Sequence, residues 1–189
     1  MKQLQPIFLF LLVSVVAFGF LRARGTPDVD TFMEWARNVE TKGIIGGYHA
    51  NHADYPPLCA VILYSISRMS SLAGLDIRIC FKLSLFGMLL LSTGIFWWWT
   101  RNGLLAVLFE LSLVLSSTVL GYTDIHMTPT FLLSLWALQK KRWLLFTLLY
   151  GVTCLIKWQP IIIAPVILLH ILGIHRWRDW QSIDYKGIG

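Results

Sequence analysis

Residues 22–57 read RARGTPDVDTFMEWARNVETKGIIGGYHANHADYPP, a polar island between two strongly apolar segments. It carries Asp28-Val29-Asp30, an aromatic amphipathic run, a glycine-rich bend and Asp54-Tyr55-Pro56-Pro57. Almost everything around it suits lipid. The 189 residues are 56% hydrophobic and only 14% charged, with a mean hydropathy of +0.64. Soluble domains carry roughly a quarter charged residues, so the composition predicts an all-α integral membrane protein, a multi-helix transmembrane bundle with an outer amphipathic helix in its first loop. A single transmembrane domain over 1–189 is expected, with the extracytoplasmic loop at 22–55.

Apolar stretches fall at about 6–21, 56–75, 77–99, 103–120, 128–138, 143–156 and 158–173. A full crossing takes about 20 apolar residues. The second, third and fourth meet that length, the first nearly does, and the fifth does so only if it extends back to 122. The last two are separated by Lys157-Trp158-Gln159-Pro160 and read as one broken helix or two tilted ones. Lys2 followed by an apolar run resembles a signal peptide, but Arg22 and Arg24 interrupt the cleavage region, which favours an uncleaved first helix.

The net charge of +6 belongs, in a membrane protein, to cytoplasmic loops and headgroups. No basic stripe lies on a soluble face, so nucleic acid is not an expected partner; membrane lipids are. Nine Trp and six Tyr suit interfacial belts. Gln139-Lys140-Lys141-Arg142 marks the cytoplasm, Lys2 agrees for the N-terminus, and Arg68 and Arg78 at the junction of segments two and three suggest the same side. These assignments conflict. If segments two to five all cross, 140–142 ends outside, so either segment four, with Glu110 in its middle, is broken, or segment five does not cross. Irregular backbone at membrane depth requires protein or water around it, which points to a cavity near Asp124.

Within the island, 30–42 has helical periodicity. Asp30 or Thr31 can cap it, Gly43 stops it, and Phe32, Trp35, Ala36 and Val39 share a face expected to lie on the outer membrane surface. Asp28 and Asp30 suit a general base, a hard-cation ligand, or a solvated loop with a cap. Pro56 and Pro57 stiffen the start of the second helix and fix where Tyr55 points. His49 and His52 lack the further ligands of a metal site and suit hydrogen bonding to a phosphate or sugar. Lys157, with Trp158, Gln159 and Pro160, can hold a lipid phosphate or snorkel to an interface. Glu110 reads as the structural partner of such a cation. Asp124 is an N-cap of the next helix or a second acidic site residue. Cys59, Cys80 and Cys154 read as small apolar residues.

In this order the residues resemble the first part of a GT-C type glycosyltransferase, of the polyprenyl-phosphate-sugar-dependent branch related to the GPI mannosyltransferases. The resemblance rests on the acid after the first helix, Phe32 and Trp35, Tyr55-Pro56-Pro57-Leu58, Gly121 to Asp124, Lys140-Lys141-Arg142-Trp143, and Leu155-Ile156-Lys157-Trp158-Gln159-Pro160. Where the family often has Gly-Gln-x-Asp, this chain has Gly121-Tyr122-Thr123-Asp124. The resemblance implies transfer of a hexose such as mannose from a polyprenyl-phosphate donor to a lipid-linked, glycan or protein acceptor. The reaction would invert the sugar, on the outer face of a bacterial plasma membrane or the lumenal face of the endoplasmic reticulum. It implies Asp28, with Asp30 as runner-up, as catalytic base, and Asp54, Tyr55, His52, Asp124, His126, Lys157 and Gln159 as substrate contacts. No cofactor is implied, although some related enzymes use a divalent metal. Because such enzymes usually have more helices, the resemblance also implies an N-terminal fragment or a partner-dependent member. The alternatives are a transporter or flippase and a non-catalytic membrane subunit.

Overall fold

A computed structural model describes residues 4–52 and 54–172. Its described elements are all helical. They comprise α1 (Leu4–Gly19), α2 (Pro27–Ala50), α3 (Pro57–Ala73), α4 (Ile77–Thr100), α5 (Gly103–Val114), α6 (Thr128–Gln139), α7 (Trp143–Ile156) and α8 (Ala164–Ile171). Short helical turns follow α1, α5 and α7 and precede α6. The seven apolar stretches thus appear as helices, the first, fourth and seventh with a tighter or wider turn at one end.

Local chemistry places the boundaries. Asp76 accepts the Arg78 N–H at 2.8 Å and Asn102 accepts the Leu105 N–H at 3.1 Å, each satisfying an orphan donor at a helix start. Gly74 ends α3 with φ +64°, a left-handed closure that glycine adopts without a Cβ clash. Thr26, not Asp30 or Thr31, occupies the N-cap position of α2, because Pro27 with its fixed φ opens the helix earlier than periodicity indicates. Gly43 breaks α2 as expected, with φ +74°, but the chain re-enters helix as far as Ala50 instead of continuing as a bend.

The helices have two ends. At one, Gly103 packs against Pro6, Phe10 meets Trp97 with ring centroids 6.0 Å apart, and Trp99 donates to Gln139 at 2.8 Å. At the other, Thr26 N–H donates to the Leu120 carbonyl at 2.9 Å, Arg78 pairs with Asp30, and Ser84 meets His126 at 3.1 Å. Helices α1, α4, α5, α6 and α7 run from one end to the other. Helix α3 does not. It starts beside Lys157, whose ammonium stands 5.3 Å from the Tyr55 ring centroid, and three residues after it finishes α4 begins beside Asp30. With α2 it forms a hairpin that stays at one end of the bundle.

This corrects three expectations. Segment two buries one apolar face against α2, and its helix starts and finishes at the same end of the bundle. Arg78 lies on the island's side, held by Asp30 and by the Arg24 carbonyl at 3.2 Å, and Arg68 acts electrostatically on Glu40 of the same island. The face bearing Phe32, Ala36 and Val39 does not rest on a membrane surface; it is buried against α3 and α4 with Leu63, Ile66, Phe81 and Leu85. Each such side chain contributes roughly 1.5–3 kcal/mol of apolar burial.

Beside this apolar core, several polar side chains are buried and many large apolar ones are exposed. Lys82, Ser92, Thr93, Glu110, Thr118, Ser134 and Thr153 are fully buried. Phe8, Val15, Leu104, Leu111, Leu144 at 76%, Leu148, Ile162 and Val166 are exposed. Two stretches, 5–22 and 77–100, are long and apolar enough to cross a membrane by themselves. Segment four is not broken at Glu110; α5 is continuous there and widens only at Leu115–Val119.

Candidate functional site

Four chain segments converge at the hairpin end: the start of α2, residues 54–57, the 121–126 turn and the α7–α8 break. The break arises because Pro160 cannot continue the α7 hydrogen-bond ladder. Lys157 is therefore extended (φ −151°, ψ 142°), and the Tyr150 hydroxyl, one helical face back, donates to the Pro160 carbonyl. The extended backbone turns the Lys157 side chain inward. Its ammonium forms an ion pair with Asp124 and lies over the Tyr55 ring. The Lys157 side chain is 8% exposed and that of Asp124 48%, so the pair closes one side of an open site.

Asp124 does not cap α6; Met127 takes that position. The Asp124 backbone carbonyl accepts from Met127 N–H and the Thr128 hydroxyl at 3.2 Å each, which leaves its carboxylate to Lys157. The cation–π contact adds about 0.5–2 kcal/mol of electrostatic hold on the ammonium. Beside this pair is a cavity of about 410 Å³ lined by Asp54, Tyr55, Lys157, Trp158, Gln159, Ile161 and Ile162. Lys157, Tyr55 and Trp158 give it a cationic and aromatic part, Ile161 and Ile162 an aliphatic part, and Asp54 and Gln159 further polar groups. An anionic group joined to an apolar tail matches that lining.

The ring of Tyr55 also connects this cavity to α2. Phe32 meets Tyr55 edge-on with centroids 5.7 Å apart and Trp35 meets it at 5.4 Å. Asp28 lies one helical turn before Phe32, on the same side of the helix. The first turn of α2 is fixed by the Thr26 N–H bond to Leu120 and by the close approach of Gly121, φ +84°, to Val29. Asp28 is exposed and has no ion-pair partner among the described residues. Asp30 is committed: Arg78 bonds it directly and Arg24 stands 3.9 Å away.

The remaining expected contacts divide. Asp54, Tyr55, Lys157 and Gln159 line the cavity, and Asp124 holds its lysine. His126 does not reach it as a ligand. The imidazole is buried, its Nε2 is 3.1 Å from the Ser84 hydroxyl and its Nδ1 is 3.2 Å from the Thr123 carbonyl, so both nitrogens are spent on packing the turn. His52 is exposed with a left-handed φ of 58° and does not line the cavity. Among the described residues no three His, Cys, Asp or Glu side chains gather as metal ligands. Cys59 and Cys80 are buried, Cys154 is half-buried, and all three are free thiols.

Lys82 escaped the sequence reading. It is wholly buried and donates to the carbonyls of Thr118 at 2.8 Å and Val119 at 3.1 Å, capping the widened end of α5. Its signal was available as a cation set inside the apolar part of the 24-residue α4, one turn past Arg78. Among the described residues Glu110 pairs with no cation; it accepts from the Ser14 hydroxyl at 2.7 Å and joins α5 to α1. No protein-family model, curated protein or solved structure matches the chain.

Proposed function

We propose that the chain is a membrane glycosyltransferase of GT-C type that moves a hexose, mannose or a close relative, from a polyprenyl-phosphate carrier to an acceptor hydroxyl. The observation that carries this reading is a cavity lined by Lys157 and aliphatic side chains at the same end of the bundle as an exposed carboxylate on α2. The donor's phosphate bonds to the Lys157 ammonium, which Asp124 and Tyr55 hold in place. Its prenyl tail follows Trp158, Ile161 and Ile162. Asp28 accepts the proton of the acceptor hydroxyl as its oxygen attacks the anomeric carbon. The bond from that carbon to the phosphate oxygen breaks, polyprenyl phosphate leaves, and the configuration inverts. Lysine stabilises the charge that develops on the leaving phosphate, a preorganised interaction of the kind that contributes most in a water-poor site.

In the same reading α1, α4, α5, α6 and α7 cross the membrane and the α2–α3 hairpin lies outside. In this reading the topological conflict does not arise. With α3 not crossing, Arg101 and Lys140–Arg142 share the cytoplasmic side with the N-terminus, as the positive-inside rule requires. The outward-facing leucines and inward-facing hydroxyls support this placement.

The test is transfer by the full chain in liposomes containing polyprenyl-phosphate hexose. Asp28→Asn is expected to lose about 10²–10⁴-fold of the rate with unchanged protease protection, and Asp30→Asn to keep most activity. Full activity in Asp28→Asn sinks the base assignment, and no transfer by wild type under any hexose donor sinks the enzyme reading.

A further inference from the structure

The end of the bundle opposite the site carries a second arrangement with its own chemistry. Helices α4 and α6 separate there to leave a groove of about 720 Å³, whose walls include Trp98, Trp99, Trp136 and Gln139 and whose cations are Arg101 and Lys140. Beside it, between the same helices, is an apolar groove of about 600 Å³ lined by Leu90, Leu91, Gly94, Ile95 and Leu133. The two share Trp98, so a basic aromatic mouth adjoins an aliphatic groove.

Three further observations point to an anion in the mouth. Arg101 and Lys141 both hold left-handed backbone, φ 56° and 54°, at helix ends where glycine would sit without strain. Among the described residues neither charge has an ion-pair partner: residues 125–172 contain no Asp or Glu, and Glu110 is buried against Ser14. The indoles are already oriented: Trp99 donates to Gln139 at 2.8 Å, Trp98 and Trp136 lie 5.2 Å apart, and Arg142 stands 5.2 Å from the centre of the Trp136 ring.

We propose that this groove holds an anionic glycerophospholipid of the cytoplasmic leaflet, with its phosphate between Arg101 and Lys140 and an acyl chain along α4 and α6. Basic pockets between helices on the cytoplasmic side recognise such headgroups, and tryptophan suits the headgroup level. The inference rests on the membrane placement given above but not on sugar transfer.

The purified full chain in neutral detergent is titrated with phosphatidylglycerol, with phosphatidylcholine of the same acyl chains, and with inorganic phosphate. Bound lipid is counted by native mass spectrometry and thermal unfolding is followed in parallel. Phosphatidylglycerol is expected to bind at least about tenfold more tightly than phosphatidylcholine, with each of Arg101→Gly and Lys140→Gln weakening it about fivefold. Arg101→Gly also relieves the left-handed strain, so it removes the charge without removing the turn. Gly94→Leu, where a Cβ meets no atom within 4 Å, fills the aliphatic groove and is expected to weaken both lipids. Equal binding of the two lipids overturns the inference, as do unchanged affinities in Lys140→Gln and Gly94→Leu. Stabilisation by inorganic phosphate equal to that by phosphatidylglycerol overturns the lipid as ligand. Asp28→Asn is expected to bind phosphatidylglycerol like wild type; a chain that binds it but transfers no sugar refutes only the enzyme reading, and a chain recovered outside membranes refutes the placement beneath both.

Discussion

Gly121→Ala measures how tightly the first turn of α2 is seated. Gly121 has φ +84°, and a Cβ there would stand 2.5 Å from Val29 Cγ2 and 3.3 Å from the Lys82 ammonium. The left-handed backbone alone costs an L-residue about 1–2 kcal/mol. Overpacking against Val29, which is buried in the main core, adds roughly 1–3 kcal/mol, so the expected loss is about 2–5 kcal/mol. Gly74→Ala supplies the control. Its φ is +64° and nothing lies within 4 Å of the added methyl, so only the backbone cost of about 1–2 kcal/mol applies. Unfolding of both variants in mixed micelles with a denaturing detergent gives the difference directly. The gap of roughly 1–3 kcal/mol is the part that belongs to Val29, and Val29→Ala in the Gly121→Ala background is expected to recover part of it. Equal losses for the two glycine variants would refute the claim that Gly121 is the seat of α2.

Two other perturbations read different parts of the hairpin end. The Ser67 hydroxyl faces Glu40 without strict hydrogen-bond geometry and the Ser71 hydroxyl donates to it at 2.5 Å; together they hold its carboxyl below the usual value of 4.5. A carboxyl depressed in the folded state stabilises above the unfolded pKa and loses that contribution as pH falls through the folded value; Ser71→Ala is therefore expected to lower stability at pH 7, to leave it unchanged well below the folded value and so to flatten the fall between them, and an unchanged acid limb would contradict the contact. Asp124→Asn leaves the largely buried Lys157 without its counter-ion, with an expected cost between the ~1 kcal/mol of an exposed pair and the ~3–5 kcal/mol of a buried one; Lys157→Met in the same chain should restore most of it, and additive losses in the double variant, measured by detergent unfolding, would deny the coupling.

Much of the helical layout was legible because each element is a run of apolar residues bounded by Pro, Gly or a cap, and such runs have few alternatives to helix. Direction was not legible. Segment two looks like a span because its apolar face is real, but that face meets Phe32, Ala36 and Val39 of α2, and nothing in residues 56–75 distinguishes lipid from a covering helix. The same gap put Arg78 on the wrong side: its partner Asp30 is distant in sequence, and a lone arginine at a helix junction carries no record of it. Lys157 and Asp124 were each recognisable as unusual, whereas their pairing depends on the extended backbone at the Pro160 break. His126 was misread because a histidine beside an aspartate gives no sign of whether its nitrogens face a cavity or, as here, Ser84 and a backbone carbonyl.

Lys82 has a consequence for how the chain is made. Its ammonium is satisfied only by the carbonyls of Thr118 and Val119, which lie 36 and 37 residues further along. Helix α4 is therefore synthesised complete while Lys82 still lacks the acceptors it ends with. Those acceptors arrive with the last turn of the following helix. The folded state of α4 thus depends on residues translated after it, which ties α4 and α5 into one packing unit.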